Sequence, residues 1–153
     1  MSDAHRVLRL WVRSETDGPM LPRDSIDAVA GAGLVGDHAL GRLRHVSIVF
    51  EDDWNAAAAT LGEGAVDPTG RRANVLVSGG RGARFVGSTI RVGAVVVDVK
   101  GVLAPCPVMD RAAPGMQEAL KPEGRGGVWG RVVGGGAIRV GDELTVESGA
   151  AAS

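Results

Sequence analysis

A β-rich, barrel-like domain with one solid helix is the fold class this sequence predicts. Three observations predict it. Glycine is abundant, at 24 of 153 residues, and it punctuates apolar runs instead of forming tracts. Valines alternate with small or polar residues, as in half-buried strands of a curved sheet. A helical apolar face shows in only one long segment, and aromatic residues make up just 3% of the chain. Together these give about eight short strands and one helix, with one or two short helices in all, a mainly β (α+β) domain. The length suits a single domain over residues 1–147, with a flexible tail over 148–153.

Residues 7–12 read as the first strand, with Leu8, Leu10 and Val12 on one face and Trp11 on the other. His5 falls in a start expected to be mobile. Residues 13–24 are polar, contain two prolines and read as a loop. The glycine-rich run 31–38 lacks the spacing of a dinucleotide fingerprint, and no helix pattern follows it. Residues 44–49 form a short strand carrying Ser47. The best helix covers 51–62, with Glu51, Asp52 and Asp53 at the positive end of its dipole. Phe50, Trp54, Ala57, Ala58 and Leu61 share one face, and Gly62 suits the position past its end. A turn at 67–70 leads through Arg71, Arg72 and Asn74 into a strand at 75–77. Strands at 89–92 and 94–99 follow, then about two helical turns at 115–120. Strands at 126–133, 138–142 and 143–146, with a turn at 134–136, close the sheet.

The 17 basic and 18 acidic residues nearly cancel, which argues against a nucleic-acid-binding face as the main business. One cysteine makes no internal disulfide and excludes zinc spacings that need two. No apolar run approaches the ~20 residues of a membrane span, and residues 1–9 lack a signal-peptide core. A reducing, cytoplasmic setting is the default. The lone Cys106 lies between Pro105 and Pro107, which hold it on a stiff, extended segment. Such a thiol suits a reactive or metal-binding site; the alternative is a small core cysteine. Arg71, Arg72 and Asn74 at a strand entrance are a compact anion-binding candidate or a solvated strand end. His38 invites an acid/base reading, whereas Asp37 reads better as a turn residue capping its own backbone. Arg131 either joins Arg72 near Cys106 or is a solvated strand residue.

The order of motifs resembles the MOSC family. It runs through Gly36-Asp37-His38, Arg44-His45-Val46-Ser47, Arg72-Ala73-Asn74, Pro105-Cys106, Gly127-Val128-Trp129-Gly130-Arg131-Val132 and Gly136-Ala137-Ile138-Arg139-Val140-Gly141-Asp142. The resemblance implies a MOSC-type β-barrel-like domain that binds the molybdenum cofactor (molybdopterin). Cys106 matches the molybdenum-ligating cysteine, and Arg72 and Asn74 match the Arg-x-Asn motif that contacts the cofactor. Ser47 lies near a position that contacts the pterin or its phosphate. Trp129 stands where relatives often have tyrosine, and Ala104 where some have a polar side chain. The implied activity is reduction of N-hydroxylated small molecules, with Cys106 and His38 as catalytic residues. Ser47, Arg72, Asn74, Trp129 and Arg131 are then the cofactor-binding set. Electrons would come from a partner protein, because no flavin, haem or iron–sulfur motif is present. A second reading is sulfur transfer, with a Cys106 persulfide received from a pyridoxal-phosphate-dependent cysteine desulfurase. A third is a non-catalytic module that holds or delivers cofactor. Neither nucleic acid nor membrane is expected as a partner, and a homodimer is left open.

Overall fold

The computed structural model describes residues 5–149. The chain begins with β1 (His5–Val12), β2 (Leu21–Arg23), β3 (Ser25–Val29) and β4 (Gly33–Leu34). Next, β5 (Val46–Phe50) runs straight into α1 (Glu51–Thr60). A 3-10 turn at Pro68–Arg71 then leads to β6 (Val75–Val77). β7 (Thr89–Val92) and β8 (Val95–Val102) form a hairpin. A further 3-10 turn at Pro107–Arg111 and the short α2 (Met116–Ala119) follow. β9 (Val128–Gly134), β10 (Gly136–Arg139) and β11 (Glu143–Ser148) complete the chain.

The order β11-β7-β8-β9-β5-β6-β1 closes on itself where His5 of β1 pairs with Leu144 of β11. The result is a seven-stranded barrel, which leaves few unpaired sheet edges. β2 pairs with the end of β1 outside this ring, and β10, β3 and β4 make a separate three-stranded sheet. Among the described strands only β5 and β6 run parallel, because α1 carries the chain back across the sheet.

Strand alternation sorts the apolar residues into two layers. Val7, Leu10, Val12, Val46, Ile48, Phe50, Val75 and Val77 fill the barrel interior. Trp11, Val49 and Leu76, one residue out of step, point outward and are covered by Trp54, Ala57, Met109 and Met116. The outer core is therefore what fastens α1, α2 and the Pro107–Arg111 turn to the barrel. Burying each large side chain of this kind contributes roughly 1.5–3 kcal/mol.

Several expectations shift for local physical reasons. A register irregularity between Val7 and Arg9 turns Leu8 to the outer layer, so it does not share a face with Leu10. Phe50 is the last strand residue, not the first of the helical face, and it packs inside the barrel. His5 is held in β1, where its ring meets Phe50 and Phe85 edge-on at 5.7 and 5.5 Å. Its Nδ1 lies 2.8 Å from the Ser78 carbonyl. The loop expected over 13–24 contains β2, and β3 and β4 add strands that the sequence pattern does not announce. Of the expected tail, Ser148 ends β11, and residues 150–153 lie outside the described residues.

Gly127 shows how tightly β9 crosses β5. Its φ is +100°, and a Cβ there would stand 2.2 Å from the Ile48 carbonyl oxygen. Gly127→Ala is expected to cost about 2–4 kcal/mol, from strain and collision together. Gly64→Ala, which meets nothing within 4 Å, should stay within about 0.5 kcal/mol of the parent. Urea denaturation of both variants checks the contrast.

Candidate functional site

Strand parity puts the site on the outside of the barrel. Ser47 alternates with the inward Val46 and Ile48, and it pairs with Trp129 of β9. Asn74 precedes the inward Val75 and so shares that outer face. The helical layer covers only part of this surface. The remainder is a cleft of about 380 Å³, walled by the segments at 13–17, 37–39 and 103–109.

Cys106 enters from the end of β8. It has extended backbone, φ −123° and ψ 169°, and its carbonyl accepts the Met109 N–H at 2.9 Å as the 3-10 turn begins. The flanking prolines supply no N–H and keep the segment out of the sheet. Cys106 is exposed and lines the cleft, so the core-cysteine alternative does not describe it.

The Asn74 side chain is the tie that holds the opposite wall. Its Oδ1 accepts from both the N–H and the hydroxyl of Ser47, each at 3.0 Å. Its Nδ2 donates to the Trp11 carbonyl at 3.2 Å and to Asp37 Oδ1 at 3.1 Å. Both lone pairs and both N–H groups of the amide are thereby used. Asp37 Oδ1 also accepts the Arg13 N–H at 3.0 Å, and Oδ2 accepts the Ala39 N–H at 3.1 Å. Asp37 does cap its own turn, as the sequence suggested, and it also joins that turn to the end of β1. Between Asp37 and Ala39 sits His38, presented to the cleft with a buried Nδ1 that has no hydrogen-bond partner. Burial first, then the positive charge of Arg13, hold its imidazole below the usual value. It is neutral at pH 7.

Cations dominate the rest of the lining. Arg71 is buried, with Nε donating to the Gly126 carbonyl and Nη1 3.3 Å from the Met109 sulfur. Desolvation draws its pKa down to about 10, against the opposing pull of Cys106. Burial and then Arg72 also lower Arg13, whose Nη1 donates to the Thr16 carbonyl. Arg72 adopts a left-handed conformation, φ 62° and ψ 36°, and donates to the Gly18 carbonyl at 2.6 Å. Arg44 lies over the Trp129 ring at 5.0 Å, a cation–π contact. Among the described residues, none of these four guanidinium groups has an ion-pair partner, whereas Arg6, Arg9 and Arg91 pair with Glu143, Asp67 and Glu147. Asp17 and Asp37 are the acids in the lining.

The structure thus brings Cys106, His38, Ser47, Arg72, Asn74 and Trp129 to one cleft. Arg131 does not reach it; its Nη1 donates to the Leu43 carbonyl at 2.7 Å. Arg71 enters as the buried half of the arginine pair noted in the sequence. Arg13 was missed, because nothing local marks an arginine just past a strand as a site residue, and Arg44 was noted only as part of a motif, with no site role.

A family model described as "MOSC domain" matches residues 35–145. Among solved structures, YUAD protein from Bacillus subtilis matches with a TM-score of 0.78 at 22% identity, over 92% of this chain and 94% of that one. YiiM from Geobacillus stearothermophilus gives 0.72 at 16% identity, over 94% and 75% of the two chains. YiiM from Escherichia coli gives 0.69 at 18% identity, over 94% and 70%. At these identities the likeness establishes the fold. No curated protein matches the chain.

Asn74→Ala would leave Ser47 N–H, the Trp11 carbonyl and one Asp37 oxygen short of a buried partner. The expected cost is about 2–3 kcal/mol in denaturant unfolding. A second expectation concerns pH. His45 is 1% exposed, its Nδ1 accepts the Val132 N–H at 2.9 Å, and burial lowers its pKa. The unfolded chain therefore binds more protons just below about pH 6.5, so stability is complete above that value and falls on acidification. His45→Gln keeps an acceptor without titrating, and it should flatten part of that fall in urea midpoints measured against pH. An unchanged acid slope would remove His45 as its source.

Proposed function

The chain belongs to the MOSC domain family, and from that premise we propose that its cleft binds the molybdenum cofactor for reduction of N-hydroxylated small molecules. The observation that carries this is one exposed thiol in the same cleft as four guanidinium groups that have no carboxylate partner among the described residues. Among the described residues no three His, Cys, Asp or Glu side chains gather to hold a bare ion. A metal that arrives on its own sulfur-donor scaffold needs only one protein ligand, and a soft thiolate is suited to that place. The donor set therefore fits the group. Cys106 would supply the sulfur, Arg71, Arg72 and Arg13 the charge for a phosphate, and Trp129 a flat wall. The volume falls within the ~300–1,000 Å³ of small-molecule sites.

When bound, the cofactor supplies the two electrons of the reduction, delivered to it by a partner protein. The residues of this chain do the rest. Converting an N–OH group to N–H and water also takes up two protons, and neutral His38 at the cleft wall is placed to pass them from solvent. Ser47 and Asn74 spend their polar groups on each other, on the Trp11 carbonyl and on Asp37, so their contribution is to fix the wall.

Freshly purified protein from a cofactor-competent host is expected to carry molybdenum and pterin, and Cys106→Ala to lose most of the metal. Full metal occupancy and activity in Cys106→Ala would overturn the proposal. Metal-free protein that gains about 32 Da on Cys106 after incubation with a desulfurase and cysteine would turn the reading to sulfur transfer, which the exposure of this thiol also favours.

A further inference from the structure

Beside the main cleft lies a second cavity of about 270 Å³, between the 3-10 turns at Pro68–Arg71 and Pro107–Arg111. It shares Arg72 and Val108 with the cleft, so one wall separates the two. Met20, Val108 and Ala112 give it apolar sides, Thr69 and Gly70 line it from the Pro68–Arg71 turn, and Arg111 completes the lining with Arg72. A Cβ on Gly70 would stand 2.5 Å from the Ala112 Cβ, so the glycine is what lets the two turns approach this closely.

The polar groups are unbalanced. Arg111 is exposed and makes no side-chain hydrogen bond or ion pair among the described residues, and the Arg72 guanidinium makes one bond, to Gly18. Each planar fork has five N–H donors. No acid lines this cavity, in contrast to the main cleft with Asp17 and Asp37. Two guanidinium groups with unused donors match a dianionic, multi-oxygen group better than a single carboxylate. The apolar walls ask for a compact uncharged body attached to it. Arg72 lines both cavities and keeps a left-handed backbone, a conformation that a non-glycine residue keeps only where its surroundings enforce it.

We propose that this cavity is a separate subsite for a phosphate monoester with a compact apolar body, its phosphate held between Arg72 and Arg111. The subsite shares Arg72 with the cofactor reading of the main cleft but does not need the chemistry assigned to Cys106. At 270 Å³ it takes a small molecule.

The test is a titration of the isotope-labelled chain with phenyl phosphate, read by amide chemical shifts. Saturable shifts at Thr69, Gly70 and Ala112 are expected, with phenol and inorganic phosphate each binding at least about tenfold more weakly. Arg111→Gln changes a solvent-facing side chain and should weaken phenyl phosphate by about tenfold or more while leaving the remaining spectrum in place. Cys106→Ala should bind it as the parent does, whatever the metal analysis of that variant shows. No saturable shift up to about 10 mM would overturn the subsite. So would shifts confined to Ser47, Trp129 and Cys106, or unchanged affinity in Arg111→Gln. Inorganic phosphate binding as tightly as phenyl phosphate would overturn the apolar half of the assignment.

Discussion

One carboxamide holds the cleft together. The Asn74 side chain links β1 through the Trp11 carbonyl, β5 through Ser47, and the 37–39 turn through Asp37. These segments are far apart in sequence and meet only because the barrel has closed. A buried amide with all four valences used is rigid, and each partner it serves would otherwise be a desolvated polar group. The Arg-x-Asn pair therefore divides its work. Arg72 offers charge to the cavities, and Asn74 fixes the frame in which that charge is offered. His38 and Arg13 gain their positions from the same frame, through Asp37.

The electrostatics of this frame explain why the near-neutral composition says little about the site. The whole chain carries a formal charge of −1, yet Arg13, Arg44, Arg71 and Arg72 converge on one cleft. Acids are deployed elsewhere: Asp53 accepts the Arg81 and Gly82 N–H groups, and Glu143, Asp67 and Glu147 pair with surface arginines. Exposed pairs of that kind contribute little, roughly 0–1 kcal/mol each. Arg71 is the costly member, a desolvated cation answered by a carbonyl and a thioether instead of a carboxylate. An anion that enters the cleft restores the missing counter-charge and so binds the folded state selectively, which stabilises it by mass action.

The barrel was legible because its signals are local: glycine turns, alternating valines and one amphipathic helix. β3 and β4 were not, since five- and two-residue strands acquire their identity from pairing with β10 and each other. The register irregularity that turns Leu8 outward is likewise a property of the β1–β6 pairing, not of the run itself. In the site, Cys106 was legible because two prolines constrain it whatever the rest of the chain does. Arg131 shows the limit of such reading. It has the same outward parity as Trp129, but two residues further along β9 is a displacement of nearly 7 Å. That distance carries it from the cleft to the Leu43 carbonyl. Arg13 was invisible for the opposite reason, since its place depends on a turn more than twenty residues away.

Several unrelieved features of the molecule gather at the cleft. A left-handed Arg72, a buried Arg71 without an acid, a half-buried His38 with an orphaned ring nitrogen and an exposed thiol all belong to the cleft lining. On the far side of the barrel, where β1, β7 and β11 meet, Arg6 pairs with Glu143, Arg91 with Glu147, and Thr89 with Asp98 across β7 and β8. A sequence selected for stability alone would have no reason to keep four guanidinium groups together when carboxylates are available to separate them. The fully bonded Asn74 fixes the frame beside them, and the proposed occupant is one whose own negative charge answers theirs.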